Sequence, residues 1–247
     1  MKNKKKRVRE IADYIKFVFP MLVLYILFFI FPLFQTIGYS FTDYNGINPR
    51  KEFTGLTNYV DVFQDKWFYN SMLFTGKSVI LMILLANVLG FLLALALNTK
   101  IKSRNILRAI VFCPFVFNNV TVGFIWQFLL GRFMTDLYPL TGWKVFNIGW
   151  LSDSSLVLYS VVFVKLWQSI GYFMVIYLAG LQLLPQDPLE AAVLDGCTGI
   201  KMIRYITIPL MKPTAFVCIF LAITESLNMF PLIMSLTNGG PGHASEN

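Results

Sequence analysis

The sequence predicts an all-α protein, a polytopic bundle of membrane-spanning helices, and three observations support this fold class. Apolar residues make up 56% of the 247-residue chain and charged residues only 14%, and the mean hydropathy is +0.63. The chain has 24 phenylalanines but only 13 acidic residues, too few polar groups to cover a water-soluble fold. Five stretches are long and apolar enough to cross a bilayer as helices. Membrane lipid is therefore the expected solvent.

The first span lies between Lys16 and Asp43, where 26 consecutive residues carry no charge. At about 1.5 Å per residue, a helix of this length crosses roughly 30 Å of hydrocarbon. The stretch ends in bulky side chains rather than in a small-residue cleavage site, which favours a retained anchor over a signal peptide. The four further stretches are 78–99, 109–131, 154–186 and 213–236.

The distribution of Lys and Arg predicts the orientation, because basic residues are retained on the cytoplasmic side. Fourteen of them lie in the leader and in the loops after the second and fourth spans, whereas five lie in the alternate segments. The amino terminus is therefore expected in the cytoplasm. The chain then divides into a basic leader (1–16), a transmembrane domain (17–236) with a cytoplasmic loop (185–213), and an extracytoplasmic tail (237–247).

Composition also excludes several classes of function. Three cysteines and one histidine, His243, cannot assemble a disulfide framework or a zinc site, so we expect no metal. The net charge of +8 has its largest block beside the first span, which favours lipid orientation over nucleic acid. The string GKS at 76–78 lacks the upstream glycine of a phosphate-binding loop, so this chain binds no ATP itself. Too few titratable groups lie in the spans for a membrane enzyme.

The cytoplasmic loop between the fourth and fifth spans carries the signals of a short capped helix. Asp187 is placed to cap the first amides, Pro188 suits the first helical position, and Glu190 stands where a capping box needs its carboxylate. Gly196 can end the helix in a left-handed conformation. These signals predict a two-turn helix over about 188–195, and from the residues alone it could either dock on a partner or pack on its own chain.

This loop resembles the EAA motif of the permease subunits of ATP-driven (ABC) importers, in which the spacing EAAxxxG is followed by IxLP. The residues that match are Glu190, Ala191, Ala192, Gly196, Ile206 and Pro209. One departure is Ile208, which stands where the motif prefers Leu. Other strings resemble the carbohydrate-transporting branch in the same order along the chain: SFTDYN (40–45), FTGLTNYVDVF (53–63), WLSD (150–153), LAGLQLLP (178–185) and GGPG (239–242).

The resemblance implies a type I importer in a bacterial cytoplasmic membrane. This chain would be one of two homologous permease subunits and would catalyse no chemistry. Two ATPase subunits would bind ATP and Mg, and an extracytoplasmic solute-binding protein would deliver a sugar. Coupling to the ATPase would fall to Glu190, Ala191, Ala192, Asp195 and Gly196. Family members carry a sixth span after GGPG, and because this sequence stops at Asn247, truncation before that span is expected.

Polar side chains inside the spans are the candidates for a translocation path, because a charge or amide at bilayer depth is costly. Lys165 and Glu225 have opposite charges on different spans, and pairing would lower their desolvation cost. Amides and flat rings suit the hydroxyls and apolar faces of a sugar. The candidates are Asn118, Asn119, Gln127, Trp167, Gln168, Glu225 and Asn228. The alternative is that these groups only tie helices together.

Pro114 and Pro231 are expected to kink their helices and open backbone groups toward a cavity. Two rival functions remain open at this stage. The chain could be a permease for another polar solute, such as glycerol phosphate or a polyamine, although an anion would call for more than the lone buried Lys165. It could also be a membrane scaffold without transport, which would leave the capped EAA loop unexplained.

Overall fold

The computed structural model describes the backbone of residues 2–47, 51–99, 102–242 and 244–245, and side chains from Tyr14 onward. His243 lies outside these residues. Every regular element in the described ranges is a helix, and one isolated bridge pairs Thr42 with Phe53. The predicted all-α class is therefore confirmed. The chain divides into two compact units, Met1–Lys66 and Trp67–Asn247.

The first unit is a long helix followed by a compact loop. Helix α1 (Lys2–Tyr25) continues through a π-helical turn (Ile26–Ile30) into α2 (Phe31–Tyr39), and α3 (Thr57–Gln64) follows the loop. Asn58 on α3 donates from Nδ2 to the carbonyls of Ser40 and Thr42, at 2.9 and 2.8 Å. The two strings at 40–45 and 53–63 therefore pack on each other.

The second unit contains the remaining helices. In order they are α4 (Lys66–Leu97, which begins at the junction), α5 (Arg104–Phe112), a 3-10 turn (Cys113–Val116), α6 (Asn119–Gln127), a π segment (Phe128–Phe133), α7 (Met134–Thr141), a 3-10 turn (Lys144–Asn147) and α8 (Val157–Gln182). After these come α9 (Gln186–Leu194), α10 (Ile200–Met202), a π segment (Ile203–Thr207), α11 (Ile208–Leu210), α12 (Lys212–Leu227) and α13 (Phe230–Leu236).

Three helices are long and apolar enough to cross a membrane unbroken: Tyr14–Tyr39, Lys66–Leu97 and Val157–Gln182. They correspond to the predicted first, second and fourth spans. Two further pairs pass the same test only as bent units: Arg104–Val116 with Asn119–Thr141 at 95°, and Ile200–Leu210 with Lys212–Leu227 at 70°. The predicted number of five spans holds if each bent pair counts as one.

The predicted third span, 109–131, is interrupted near Pro114, where a kink was expected. Helix α5 ends at Phe112, a 3-10 turn carries Pro114, and Phe117 and Asn118 are extended before α6 begins. Proline lacks the N–H that would continue an α-helix, so the chain stops and restarts in a new direction.

The predicted fifth span, 213–236, is also interrupted. Helix α12 ends at Leu227, and α13 begins at Phe230 with Pro231 in its first turn, where the missing N–H costs nothing. The predicted breaks near Pro114 and Pro231 are therefore confirmed.

Helix α8 lies at the centre of the second unit, with 67% of its apolar window buried. It packs against α5 and the 3-10 turn, α12, α6 and α13. Gly171 makes the crossing with the end of α5 possible. A Cβ added there would overlap the carbonyl oxygen of Val111 and lie 2.6 Å from the Cα of Phe112. Only glycine lets these two backbones approach so closely.

Candidate functional sites at the broken helices and the cytoplasmic loop

A buried ion pair joins the centre of the second unit to the end of α12. Lys165, on α8, has only 3% of its side chain exposed, and its Nζ lies 2.6 Å from Oε2 of Glu225. The same Nζ donates to Oδ1 of Asn119 on α6, at 3.4 Å. The predicted pairing is confirmed. Glu225 keeps 29% of its side chain exposed, so the pair is less deeply buried at its α12 end than at its α8 end.

A side-chain hydrogen bond joins the break in the third span to α8, next to this ion pair. Gln168 donates from Nε2 to the carbonyl of Phe117, the extended residue at the break, at 2.9 Å. Asn118 caps α6 by accepting from the N–H of Val120 at 2.8 Å. Gln168 is 4% exposed, and its buried Oε1 has no hydrogen-bond partner among the described residues. We refer to Asn119, Lys165, Gln168 and Glu225 together as the polar cluster.

An aromatic group flanks the polar cluster on α8 and α6. Trp167 is 38% exposed and meets Trp126 edge-on, with ring centroids 5.3 Å apart and planes at 74°. Trp126 also meets Phe163 at 5.3 Å and 88°, and its buried Nε1 has no partner in the described part of the chain. Sequence reasoning missed Trp126. The signal was available, since a tryptophan inside a span carries a donor that needs a partner.

The other candidate path residues are not part of the cluster. Gln127 is exposed, and Asn228 is exposed and donates from Nδ2 to the carbonyl of Thr224 on its own helix, at 2.8 Å. Within the described residues, no hydrogen bond joins either of them to the polar cluster. Asn228 nevertheless occupies the break between α12 and α13.

The loop 185–213 forms the expected short helix, but its start differs from the prediction. Helix α9 spans Gln186–Leu194 and its cap residue is Pro185, which offers no side-chain acceptor. Asp187 therefore lies inside the first turn instead of capping it, and Glu190 is two residues too late for a capping box. Both expectations are wrong, because the backbone of Pro185 is extended and the helix begins directly after it, at Gln186. Asp187 still places a negative charge near the positive end of the helix dipole.

The carboxyl end of α9 is closed as predicted. Gly196 has φ +76°, and its N–H donates to the carbonyl of Val193 at 3.0 Å. The N–H of Cys197 reaches back to Ala192 at 2.8 Å, which completes a Schellman motif. Two bonds therefore fix the last turn and make the helix a short rigid element.

Most of α9 is exposed on one side. Ala192 is buried and the helix contacts the segment Ile203–Thr207, whereas Glu190 and Ala191 are exposed. Leu194 is 88% exposed at the carboxyl end. The described residues of the chain therefore leave this side of α9 uncovered.

No group of three or more His, Cys, Asp or Glu side chains in the described residues could hold a metal ion. The residues of both sites fall within the part of the chain that matches a known family. Residues 86–244 match the binding-protein-dependent transport system inner membrane component. The chain belongs to this family. It is an integral membrane permease component of an importer that works with a binding protein, and the family is not enzymatic.

Relatives and solved structures agree with this assignment. The chain is 35% identical to the probable starch degradation products transport system permease protein AmyD of Thermoanaerobacterium thermosulfurigenes, covering 100% of this chain and 84% of that protein. It is 31% identical to the trehalose/maltose transport system permease protein MalF of Thermococcus litoralis, over 93% of this chain and 78% of that one. A chain of a bacterial alginate ABC transporter, solved with an alginate pentasaccharide-bound periplasmic protein, has the same fold. The TM-score is 0.79 at 22% identity, covering 98% of this chain and 81% of that chain.

Proposed function

We propose that this chain is a permease subunit of an ATP-driven sugar importer and that it lines, with a second homologous permease, the path of an oligosaccharide or related sugar. The observation that carries this proposal is the polar cluster, which lies where a broken third span meets α8 and α12. Transporters of other folds also place solute sites at interrupted helices, because the free backbone groups there can bind solute. The names of the two relatives support a sugar.

The charge of the polar cluster favours an uncharged solute. Lys165 is paired with Glu225 at 2.6 Å, so its positive charge is already balanced. An anionic solute would need an unpaired cation. Sugar hydroxyls need both donors and acceptors, and Gln168 keeps an acceptor oxygen without a partner among the described residues. The half-exposed ring of Trp167 offers a flat face to a pyranose.

Helix α9 would couple this path to ATP hydrolysis. We infer that Glu190, Ala191, Ala192, Asp195 and Gly196 form a docking surface for an ATPase subunit that binds ATP and Mg in the cytoplasm. The exposed face and the closed carboxyl end of α9 support this role, because a rigid helix transmits a displacement that a flexible loop would absorb.

The displacement has a physical route to the polar cluster. Helix α9 contacts the π segment Ile203–Thr207, which continues into α11 and then α12. Helix α12 carries Glu225 near its end. A movement of α9 would therefore shift Glu225 relative to Lys165. In this arrangement the amino terminus is cytoplasmic and the binding protein acts on the opposite side of the membrane.

The solute class is tested by uptake into proteoliposomes that contain the whole transporter and its binding protein. Uptake of labelled maltotriose, with no uptake of labelled glycerol 3-phosphate, is the expected result. Uptake of the phosphate compound alone would replace the sugar assignment with an anion permease.

Coupling is tested with two matched glycine variants. Gly196→Pro removes a left-handed glycine and its bond to Val193, and Gly142→Pro removes a left-handed glycine (φ +67°) and its bond to Tyr138 at 2.8 Å. Neither glycine has an atom within 4 Å of an added Cβ. We expect Gly196→Pro to abolish uptake while the ATPase subunits still hydrolyse ATP, and Gly142→Pro to retain uptake. Normal uptake in Gly196→Pro, or equal loss in both, would contradict the coupling role of α9.

A further inference from the structure

A cavity of about 510 Å³ opens in the second unit near the beginnings of α4 and α8. Its wall combines the early part of α4, the first turn of α8 and the loop that contains Gly242. The polar groups are the amide of Asn70, the ammonium of Lys77, and the hydroxyls of Ser154 and Ser155. The cavity is separate from the polar cluster, with which it shares no residue.

Among the described residues of this wall, Lys77 is the only charged one. It is exposed and forms no ion pair within the described residues, in contrast to Lys165. The Ser155 hydroxyl already donates to Asp153, which leaves the unpaired ammonium, the amide of Asn70 and the hydroxyl of Ser154 to bind a carboxylate through one ionic contact and hydrogen bonds. The chemistry of the wall therefore fits an anionic group.

One acidic residue lies next to the cavity without lining it. The carboxylate of Asp153 accepts from the N–H and the hydroxyl of Ser155, at 2.8 and 2.7 Å, through the same oxygen. These two hydrogen bonds lower the pKa of Asp153, so it stays ionised at neutral pH. Its carboxylate is held by Ser155, and Lys77 remains available.

The position of the cavity indicates which partner could bring the anionic group. Helix α8 has 26 residues, so its first turn at the cavity and its last turn before α9 are about 39 Å apart. That distance exceeds the hydrocarbon thickness of a bilayer. If α9 meets the ATPase, as proposed above, the cavity faces the opposite side, where the binding protein arrives.

We propose that this cavity is a docking site for the solute-binding protein and that Lys77 pairs there with an acidic side chain of that protein. This inference rests on the proposed function. The contact is solvent-accessible, so it acts on the affinity of the binding protein and not on ATP turnover itself.

The test titrates the purified binding protein, loaded with sugar, onto the complete transporter in lipid nanodiscs and measures ATPase activity. Lys77→Glu is expected to raise the half-saturating concentration of binding protein by about tenfold, with the maximal rate unchanged, since reversing a charge converts attraction into repulsion. The difference should shrink as salt is raised, because an exposed contact is screened.

The matched control is Lys144→Glu, which reverses an exposed lysine on the 3-10 turn Lys144–Asn147, away from the cavity. It should leave the half-saturating concentration unchanged. Equal effects of Lys77→Glu and Lys144→Glu would overturn the docking site while the proposed function stands. If the binding protein fails to stimulate even the unaltered transporter, the proposed function itself fails.

A second measurement identifies what occupies the cavity. Lys77→Cys, made after Cys113, Cys197 and Cys218 are replaced by serine, accepts a thiol-linked photo-cross-linker. Irradiation with the purified binding protein present should yield an adduct with that protein. An adduct with phospholipid alone would show that a lipid headgroup occupies the cavity and would overturn the proposal.

Discussion

The ion pair between Lys165 and Glu225 leads to an asymmetric prediction, because its two ends are buried to different extents. The Lys165 side chain is 3% exposed and that of Glu225 is 29% exposed. Glu225→Gln leaves a buried ammonium without a counter-charge, although the amide oxygen can still accept its hydrogen bond, whereas Lys165→Met leaves the less buried carboxylate unpaired. Removing one partner of a fully buried pair costs about 3–5 kcal/mol.

We therefore expect Glu225→Gln to lower the free energy of unfolding by roughly 3 kcal/mol or more, and Lys165→Met by about 1–2 kcal/mol, the discount reflecting the exposure of Glu225. The double variant leaves no unpaired charge and should cost less than Glu225→Gln alone. The resulting coupling energy should be at least about 2 kcal/mol, well above the error of additivity between independent sites.

The assay is reversible unfolding of the purified protein in detergent micelles, followed by circular dichroism for the four forms of the double-mutant cycle. The pair Arg132–Asp136 provides the control, since its atoms are 3.9 Å apart and its side chains are 80% and 71% exposed. Arg132→Met and Asp136→Asn should have no measurable effect or coupling. Additive effects at Lys165 and Glu225, or a larger cost for Lys165→Met than for Glu225→Gln, would refute the reasoning.

Two further outcomes follow from packing and from pKa. Gly171→Leu should prevent stable folding because the leucine side chain would overlap the backbone of Val111. The control Gly76→Leu should fold, because no neighbouring atom lies within 4 Å of an added Cβ at Gly76. Equal yields of folded protein for the two variants would contradict this prediction. Ser155→Ala removes the hydroxyl hydrogen bond, which is the larger of the two that lower the pKa of Asp153 below 3.8, and keeps the bond from the backbone N–H. The lowered pKa of Asp153 stabilises the folded protein above pH 3.8, and this stabilisation is lost as the pH falls through the lowered pKa. Ser155→Ala should therefore have a lower melting temperature than the unaltered protein at pH 7 but not in strong acid. A difference in melting temperature that persists in strong acid would contradict this explanation.

Much of the candidate site could be predicted because opposite charges inside apolar spans are costly when unpaired. Lys165 and Glu225 were the charged residues in the fourth and fifth spans, so their pairing followed from desolvation alone. Their contact with Asn119 could not be derived, since it requires the third span to break at Phe117 and turn by 95°. Hydropathy counts apolar residues and is insensitive to backbone direction.

Helix α9 shows the same limit on a smaller scale. Gly196 was identified because a left-handed residue at a helix end strongly favours glycine, and φ +76° agrees. The start was misplaced because Asp187 and Pro188 fit a cap by residue type, whereas the extended conformation of Pro185 allowed the helix to begin at Gln186. Residue preferences at a helix start are weak enough for the neighbouring chain to override them.

Sequence alone determined that the chain is a set of apolar helices for a membrane, which charges need partners, and where one short helix must end. Those properties depend on side-chain chemistry and on local backbone preference, and both can be read one residue at a time. Only the tertiary structure decided that the third span turns by 95°, that Trp126 meets Trp167, and that Lys77 lines a cavity. These features depend on which helices pack together, since α5 and α12 pack on α8 and α13 packs on α6, and such contacts between distant parts of the chain cannot be read one residue at a time.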